Sequence, residues 1–134
     1  MVAAFILVMS VMALVHFAIS QWRSIWIVVA EQPLSSCFET STGIAADSVT
    51  AEDFSPLMRA LDQLPVTSCK RSSWLKEVGM YYRILQALSN LCEQSLPALA
   101  NRARKEAVVC AKYVAAVLDQ RLSAHLAYSA QTRN

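Results

Sequence analysis

The sequence predicts an all-α protein in which a single N-terminal transmembrane helix precedes a small helical hairpin or three-helix bundle. Three observations predict this class. The chain opens with a long apolar run, glycine occurs only at Gly43 and Gly79, and apolar residues recur every three or four positions from Trp74 to Cys92. Scarce glycine argues against turn-rich β folds and phosphate-binding loops, which need it where φ is positive or a backbone approaches closely.

The opening run, Val2 to Ile19, has eighteen residues, and its only strongly polar members are Ser10 and His16. At about 1.5 Å per residue, a helix of this length covers roughly 27 Å. Continuation to Trp22 reaches the thickness of a hydrocarbon core, about 30 Å. The run therefore predicts a membrane anchor.

Two tryptophans and an arginine follow the run: Trp22, Arg23 and Trp26. Indole rings and a snorkelling guanidinium group are typical of the headgroup layer, so we predict that these residues lie at the membrane interface. Residues 24–30 are again apolar and either prolong the helix or lie along the interface. The side of the membrane that holds the rest of the chain is left open, since each flank offers one positive charge.

Two alternatives to a retained anchor stay open. Ala18, Ile19 and Ser20 have the small-x-small form of a cleavage site, and cleavage after Ser20 would give a secreted or periplasmic helical protein with disulfides. Against this, the basic residues that usually precede the apolar run of a signal peptide are missing. The other alternative is the core helix of a soluble protein. This alternative fits poorly, because so small a domain has little interior in which to bury a segment that is apolar on all sides.

The chain is predicted to divide into three parts. Residues 1–30 are the anchor and its interfacial extension, and residues 31–49, rich in Ser and Thr, are a linker that acts as a tether or a recognition loop. Residues 50–134 are the helical domain. Charge is uneven, because residues 1–65 carry two basic and six acidic side chains whereas residues 66–134 carry ten basic and four acidic ones.

The helical domain is predicted to begin with a short helix that ends at Leu64. Thr50 and Asp53 have the spacing of a capping box, with Asp in place of the usual Glu or Gln. One apolar stripe follows at spacings of three, four and three residues, formed by Phe54, Leu57, Leu61 and Leu64. The stripe predicts that this helix packs one face against the rest of the domain.

The next helix is predicted over about residues 72–95. Its apolar seam has heptad-like spacing and is predicted to be a core face or a partner face, formed by Trp74, Val78, Tyr81, Leu85, Leu88 and Cys92. Leu75, Tyr82 and Ile84 widen the seam, which favours packing on more than one neighbour. Gly79 beside it either lets another backbone approach closely or is a tolerated helix glycine.

The last helix is predicted over about residues 98–128, after a break at Pro97. It is rich in alanine, and small side chains favour an antiparallel hairpin with the preceding helix. Its first half carries a basic patch, formed by Arg102, Arg104, Lys105 and Lys112. The patch is a solvated face, a contact for anionic lipid headgroups or a contact for an acidic protein segment. Nucleic-acid binding is not predicted, because no aromatic residues are interleaved with the basic ones.

No catalytic, cofactor-binding or metal site is predicted. The four cysteines are Cys37, Cys69, Cys92 and Cys110, and none lies within three residues of another. They are buried free thiols or, on a translocated side of a membrane, two disulfides. His125 is the only histidine after the apolar run, and its spacing from Cys110 does not suit a metal site.

These features predict a single-pass membrane protein that acts as a non-catalytic interaction or accessory subunit. The predicted partners are the lipid bilayer and either another protein or a second copy of the chain, because a domain this small leaves wide apolar faces uncovered. The first alternative is the secreted or periplasmic protein described above. The second is a small redox enzyme, or one that depends on Cys or His125.

Overall fold

The computed structural model describes residues 2–64 and 72–133, and within these ranges it contains helices and no strand. The five helices are α1 (Val2–Ala30), α2 (Ser36–Thr42), α3 (Phe54–Gln63), α4 (Ser72–Cys92) and α5 (Pro97–Gln131). Two 3₁₀ turns, Ala46–Ser48 and Ala51–Asp53, connect α2 to α3. The predicted fold class is confirmed: an apolar N-terminal helix is followed by a helical bundle.

The first helix is continuous over 29 residues, so the apolar residues 24–30 prolong it. Every described side chain from Ala3 to Trp22 is exposed. The core helix of a soluble protein would be mostly buried, so that interpretation of the opening run does not fit the structure. Among the described residues, α1 alone is long and apolar enough to cross a membrane, a property that signal sequences share.

The last helix, α5, is the element around which the others are arranged, since it contacts α1, α2, α3 and α4. Its buried residues are mostly small: Ala100, Ala103, Ala107, Cys110, Ala111, Tyr113, Val114, Ala115, Ala116, Val117 and Leu118. The distance between packed helices depends on the side chains at the contact, so Ala and Val let neighbours lie close. Its most extensive contact is with α4, across a four-residue turn, as the predicted hairpin requires.

The buried face of α4 is displaced by one residue from much of the predicted seam. It repeats at spacings of three and four and is formed by Leu75, Val78, Tyr82, Leu85 and Ser89. Val78 and Leu85 belong to both sets. Of the other seam residues, Tyr81 and Cys92 are half-buried, Leu88 is 40% exposed, and the side chain of Trp74 lies outside the described part.

The capping box before α3 forms as predicted. The Thr50 backbone N–H donates a hydrogen bond to the Asp53 carboxylate at 2.8 Å. The predicted stripe is buried at three positions and partly buried at the fourth: Phe54, Leu57, Leu61 and Leu64. The Phe54 ring stacks on Tyr82 with 3.9 Å between centroids, and the Tyr82 hydroxyl donates to the Ala51 carbonyl at 2.6 Å. These contacts attach α3, and the 3₁₀ turn before it, to α4.

The predicted linker, residues 31–49, contains more regular structure than a tether needs. Phe38 of α2 is fully buried. Gly43 caps the C-terminal end of this helix with φ 70°, a conformation that glycine adopts without strain. At its start, Ser35 donates two hydrogen bonds to the Asp119 carboxylate of α5, from its hydroxyl and, at 3.0 Å, from its backbone N–H. The division at residues 30 and 49 stays a prediction.

Candidate functional site

The C-terminal third of α1 packs against α4 and α5. Trp26 is only 8% exposed, and its ring centroid lies 5.6 Å from that of Tyr81 and 6.0 Å from that of Tyr113. Aromatic pairs at such separations contribute about 0.5–1.5 kcal/mol each beyond burial. We name this region the anchor joint: Arg23, Trp26, Tyr81, Glu106 and Tyr113. Trp26, which the sequence predicts at the membrane interface, lies in the bundle core.

Within the anchor joint, Arg23 of α1 forms an ion pair with Glu106 of α5. The Glu106 side chain is 13% exposed and that of Arg23 is 42% exposed. The Arg23 Nε is buried and has no hydrogen-bond partner among the described residues. A carboxylate this buried depends on its partner, because an unpaired buried charge is costly. This role was not predicted from the sequence, because nothing in the residues around Glu106 indicates a partner 83 positions away.

Two contacts fix the direction of α1 relative to α5. Arg23 pairs with Glu106, and Ser35, a few residues beyond α1, bonds to Asp119. Residue numbers therefore rise together along the two segments, which run parallel. The start of α5, and the turn that joins it to α4, point towards the exposed apolar end of α1.

Apolar surface continues from α1 onto α4. A cavity of about 190 Å³ separates the two helices, with Ile19 and Trp22 on one side and Met80 and Ile84 on the other. Trp22 is 44% exposed at its edge. Exposed apolar residues extend along the same side of α4 at spacings of four, four and three, and we name them the α4 stripe: Met80, Ile84, Leu88 and Leu91.

The four basic residues of the predicted patch are all exposed, but they do not form one surface. Arg102, Lys105 and Lys112 lie along one face of α5, at spacings of three and seven residues. Arg104 lies on another side and pairs with Glu93 at 2.5 Å. Lys112 is farther from the turn and borders a separate cavity of about 490 Å³.

A groove of about 600 Å³ lies between α3 and α4, and we name it the α3–α4 groove. Its floor is largely apolar, formed by Phe54, Met58, Leu75 and Tyr82, and the exposed Met80 lies at its edge. Charged side chains surround the floor: Arg59, Asp62, Lys76 and Arg83. A Cβ atom at Gly79 would meet nothing within 4 Å. Gly79 is therefore a tolerated helix glycine on an open surface, and the described backbone of no other element approaches it.

Three of the four cysteines, Cys37, Cys92 and Cys110, are free thiols, and Cys69 lies outside the described residues. Burial, reinforced by the nearby Glu106 carboxylate, raises the pKa of Cys110 to about 12. Reactive cysteines have lowered pKa values, so Cys110 packs as a small apolar side chain. Within the described part of the chain, no three His, Cys, Asp or Glu side chains lie where they would hold a metal ion.

Comparison with known proteins found no matching family model, curated protein or solved structure. The described part of the chain presents four surfaces of distinct chemistry: the exposed part of α1 with its anchor joint, the α4 stripe, the basic face of α5 and the α3–α4 groove.

We expect Glu106→Ala to lower the free energy of unfolding by about 1–3 kcal/mol, because Arg23 loses the carboxylate that it faces across the joint. The matched control is Glu93→Ala, which breaks the exposed pair with Arg104 and should cost less than about 1 kcal/mol. Denaturant unfolding of the full chain in detergent, followed by circular dichroism, measures both. Equal losses of stability in the two variants would show that the Arg23–Glu106 pair contributes no more than an exposed ion pair.

Cys110 should contribute stability that disappears at high pH. Below pH 9 its thiol is neutral in both states, whereas between pH 9 and about 12 only the unfolded chain loses the proton, so stability falls as pH rises. At pH 9 we expect iodoacetamide to label the half-buried Cys37 and Cys92 well before Cys110, as measured by peptide mass spectrometry. Labelling of Cys110 as fast as in denaturant would contradict its burial.

Proposed function

We propose that this chain is a single-pass membrane protein whose helical bundle acts as a non-catalytic interaction or accessory subunit at the bilayer surface. The form of α1 carries the proposal. About two-thirds of this helix is apolar and exposed, and the last third packs into the bundle core through Trp26. Exposed apolar area costs roughly 25 cal/mol per Å² in water, so a surface of this extent favours lipid.

The length of α1 supports an anchor that holds the bundle close to the bilayer. Twenty-nine helical residues cover about 44 Å, and about 30 Å of this would lie in the hydrocarbon core. The remaining turns include the anchor joint. Because one helix continues from the apolar segment into the core, the bundle would be held without a flexible tether, with Trp22 and Arg23 near the headgroups.

The α3–α4 groove supports the interaction role. An apolar floor with a charged border is the usual form of a surface that accepts an amphipathic helix. Three of the four charged side chains at its border are basic: Arg59, Lys76 and Arg83. The partner that suits it best is therefore a protein helix with one apolar face flanked by acidic residues.

A secreted or periplasmic protein is the second candidate, and the anchor joint offers it one specific observation. Cleavage after Ser20 would remove only residues whose described side chains are exposed. Arg23 and Trp26 would stay with the bundle, so the core would keep its contacts. The two candidates therefore differ in the fate of the first twenty residues and share the rest of the structure.

An enzyme that depends on Cys or His is the remaining alternative, and the site chemistry supports it least. The raised pKa of Cys110 keeps its thiol neutral at physiological pH. His125 is exposed near the end of α5, far from the anchor joint. Among the described residues, no hydrogen bond joins either side chain to the base that nucleophilic catalysis uses.

Membrane fractionation with intact-mass spectrometry tests the proposal. We expect the full chain of 14.8 kDa to remain in the membrane pellet after an alkaline carbonate wash. Its exposed apolar helix should resist extraction, because alkaline pH weakens ionic attachment to a membrane surface but not the burial of apolar side chains in hydrocarbon. A soluble chain that lacks its first twenty residues would instead establish the secreted candidate. A full-length chain that stays soluble without detergent would contradict both.

The interaction role is tested by a photoreactive amino acid in place of Met58 in the groove, with the exposed position Ser123 as the matched control. In native membranes we expect a discrete protein adduct from position 58 and none from position 123, because a bound helix would cover only the groove. The same cross-linking with the purified chain alone shows whether the adduct is a second copy. Equal labelling from both positions, or adducts with lipid alone, would contradict the role of the groove.

A further inference from the structure

We propose that the turn between α4 and α5 is a second membrane contact, which enters the headgroup layer of the leaflet through which α1 passes. We name this part, residues 91–99, the hairpin tip. The inference rests on the proposed membrane anchoring and adds a ligand for the bundle itself: anionic lipid headgroups. The direction in which the tip projects, the depth that it reaches and its surface chemistry each support this inference.

Direction follows from the parallel course of α1 and α5. Because Arg23 faces Glu106, residues that precede Glu106 in α5 lie on the side of the joint from which the apolar part of α1 extends. The hairpin tip comes before these residues in the chain. It therefore projects towards the bilayer that α1 would enter, while the C-terminal end of α5 points away from it.

Depth follows from helix lengths. Pro97, where α5 begins, precedes Glu106 by nine residues, so the tip extends beyond the joint by up to about 14 Å. For α1 to cover about 30 Å of hydrocarbon it needs about twenty residues, which places the membrane boundary close to Trp22. The headgroup layer adds only about 5–7 Å on each side. This layer begins at Trp22 and extends towards the bundle, so it already includes the level of Arg23. A tip that extends past Arg23 towards the bilayer therefore lies at least as deep as the headgroup layer.

The tip has the surface chemistry of an interfacial segment. Its three leucines are exposed: Leu91 by 77%, Leu96 by 57% and Leu99 by 44%. Arg102 and Lys105 follow one to two turns behind, and neither pairs with a carboxylate among the described residues. Glu93, Gln94 and Ser95 of the turn are also exposed, and Glu93 pairs with Arg104. Apolar and polar side chains mixed at the turn, with basic ones behind them, suit the anionic headgroup layer.

Continuity favours the bilayer over a protein as the occupant. The exposed apolar surface runs from α1 across the cavity at Ile19 and Trp22, along the α4 stripe and onto the tip. A lipid phase covers the apolar part of α1, the tip and the adjoining end of the α4 stripe at once. A second copy of the chain would have to cover the stripe and the tip while leaving α1 to the lipid.

Fluorescence quenching in vesicles tests the tip. An environment-sensitive fluorescent amino acid is placed in the full chain in place of Leu96, of Leu14 in the apolar part of α1, or of the exposed Tyr128 near the far end of α5. The vesicles contain phosphatidylcholine, phosphatidylserine and brominated lipid. We expect quenching at positions 14 and 96 and none at position 128.

Charge variants test the headgroup contact in the same vesicles. Arg102→Gln and Lys105→Gln should each lower the equilibrium constant for docking of the tip about fivefold when phosphatidylserine is present. Neither should have an effect in pure phosphatidylcholine. Lys112→Gln is the matched control on the same face of α5, farther from the tip, and should leave quenching at position 96 unchanged.

The outcomes separate the tip from the anchor. Quenching at position 14 without quenching at 96 would overturn the tip and leave the anchor standing. Loss of quenching at both positions would overturn the tip together with the membrane proposal. Fluorescence at position 96 that follows the protein-to-lipid ratio instead of the brominated lipid would show that a second copy covers the tip, and would also overturn the inference.

Discussion

Four helices share α5 as their packing partner, and this requirement determines which residues α5 carries. Because α1, α2, α3 and α4 all contact it, most of its middle is buried on several sides at once. Small side chains satisfy this condition, since a large one would push two or more neighbours apart and strain the core. The alanine-rich composition of α5 is thus a property of its place in the bundle as much as of its helix propensity.

The anchor joint is where α1 passes from one environment to another. Trp22 is largely exposed, whereas Trp26, one turn later, is in the core against two tyrosines. Arg23 lies between them and pairs with Glu106, so the change from apolar exposure to burial occurs at a charged contact. One turn of helix therefore contains both the end of the exposed apolar segment and the first residue of α1 in the bundle core. The position of the bundle is thereby linked to that of α1.

Local signals in the sequence predicted much of the fold, and contacts between distant segments account for the rest. The fold class, the capping box at Thr50 and the α4–α5 hairpin depend on nearby residues or on simple periodicity. On α4 two overlapping seams have the same spacing, and the sequence favoured Leu88 where the structure buries Ser89. Ser89 lines the same small cavity as Ala103, so its burial depends on α5. The site residues Glu106 and Asp119 gave no local signal, because each acts through a partner more than eighty residues away.

A single membrane helix restrains the distance of a domain from the bilayer but leaves rotation about the helix axis free, and tilt is set by neighbouring contacts. A second contact away from that axis removes the rotation. The hairpin tip lies to one side of α1, on the two helices that meet α1 at the joint, and it is the part of the bundle that extends furthest towards the apolar segment. With both contacts in place, the α3–α4 groove would be held at a fixed height and would face a fixed direction. A partner helix anchored in the same membrane would then meet the groove with much of its orientational freedom already removed, and this loss of freedom is a large part of the cost of association.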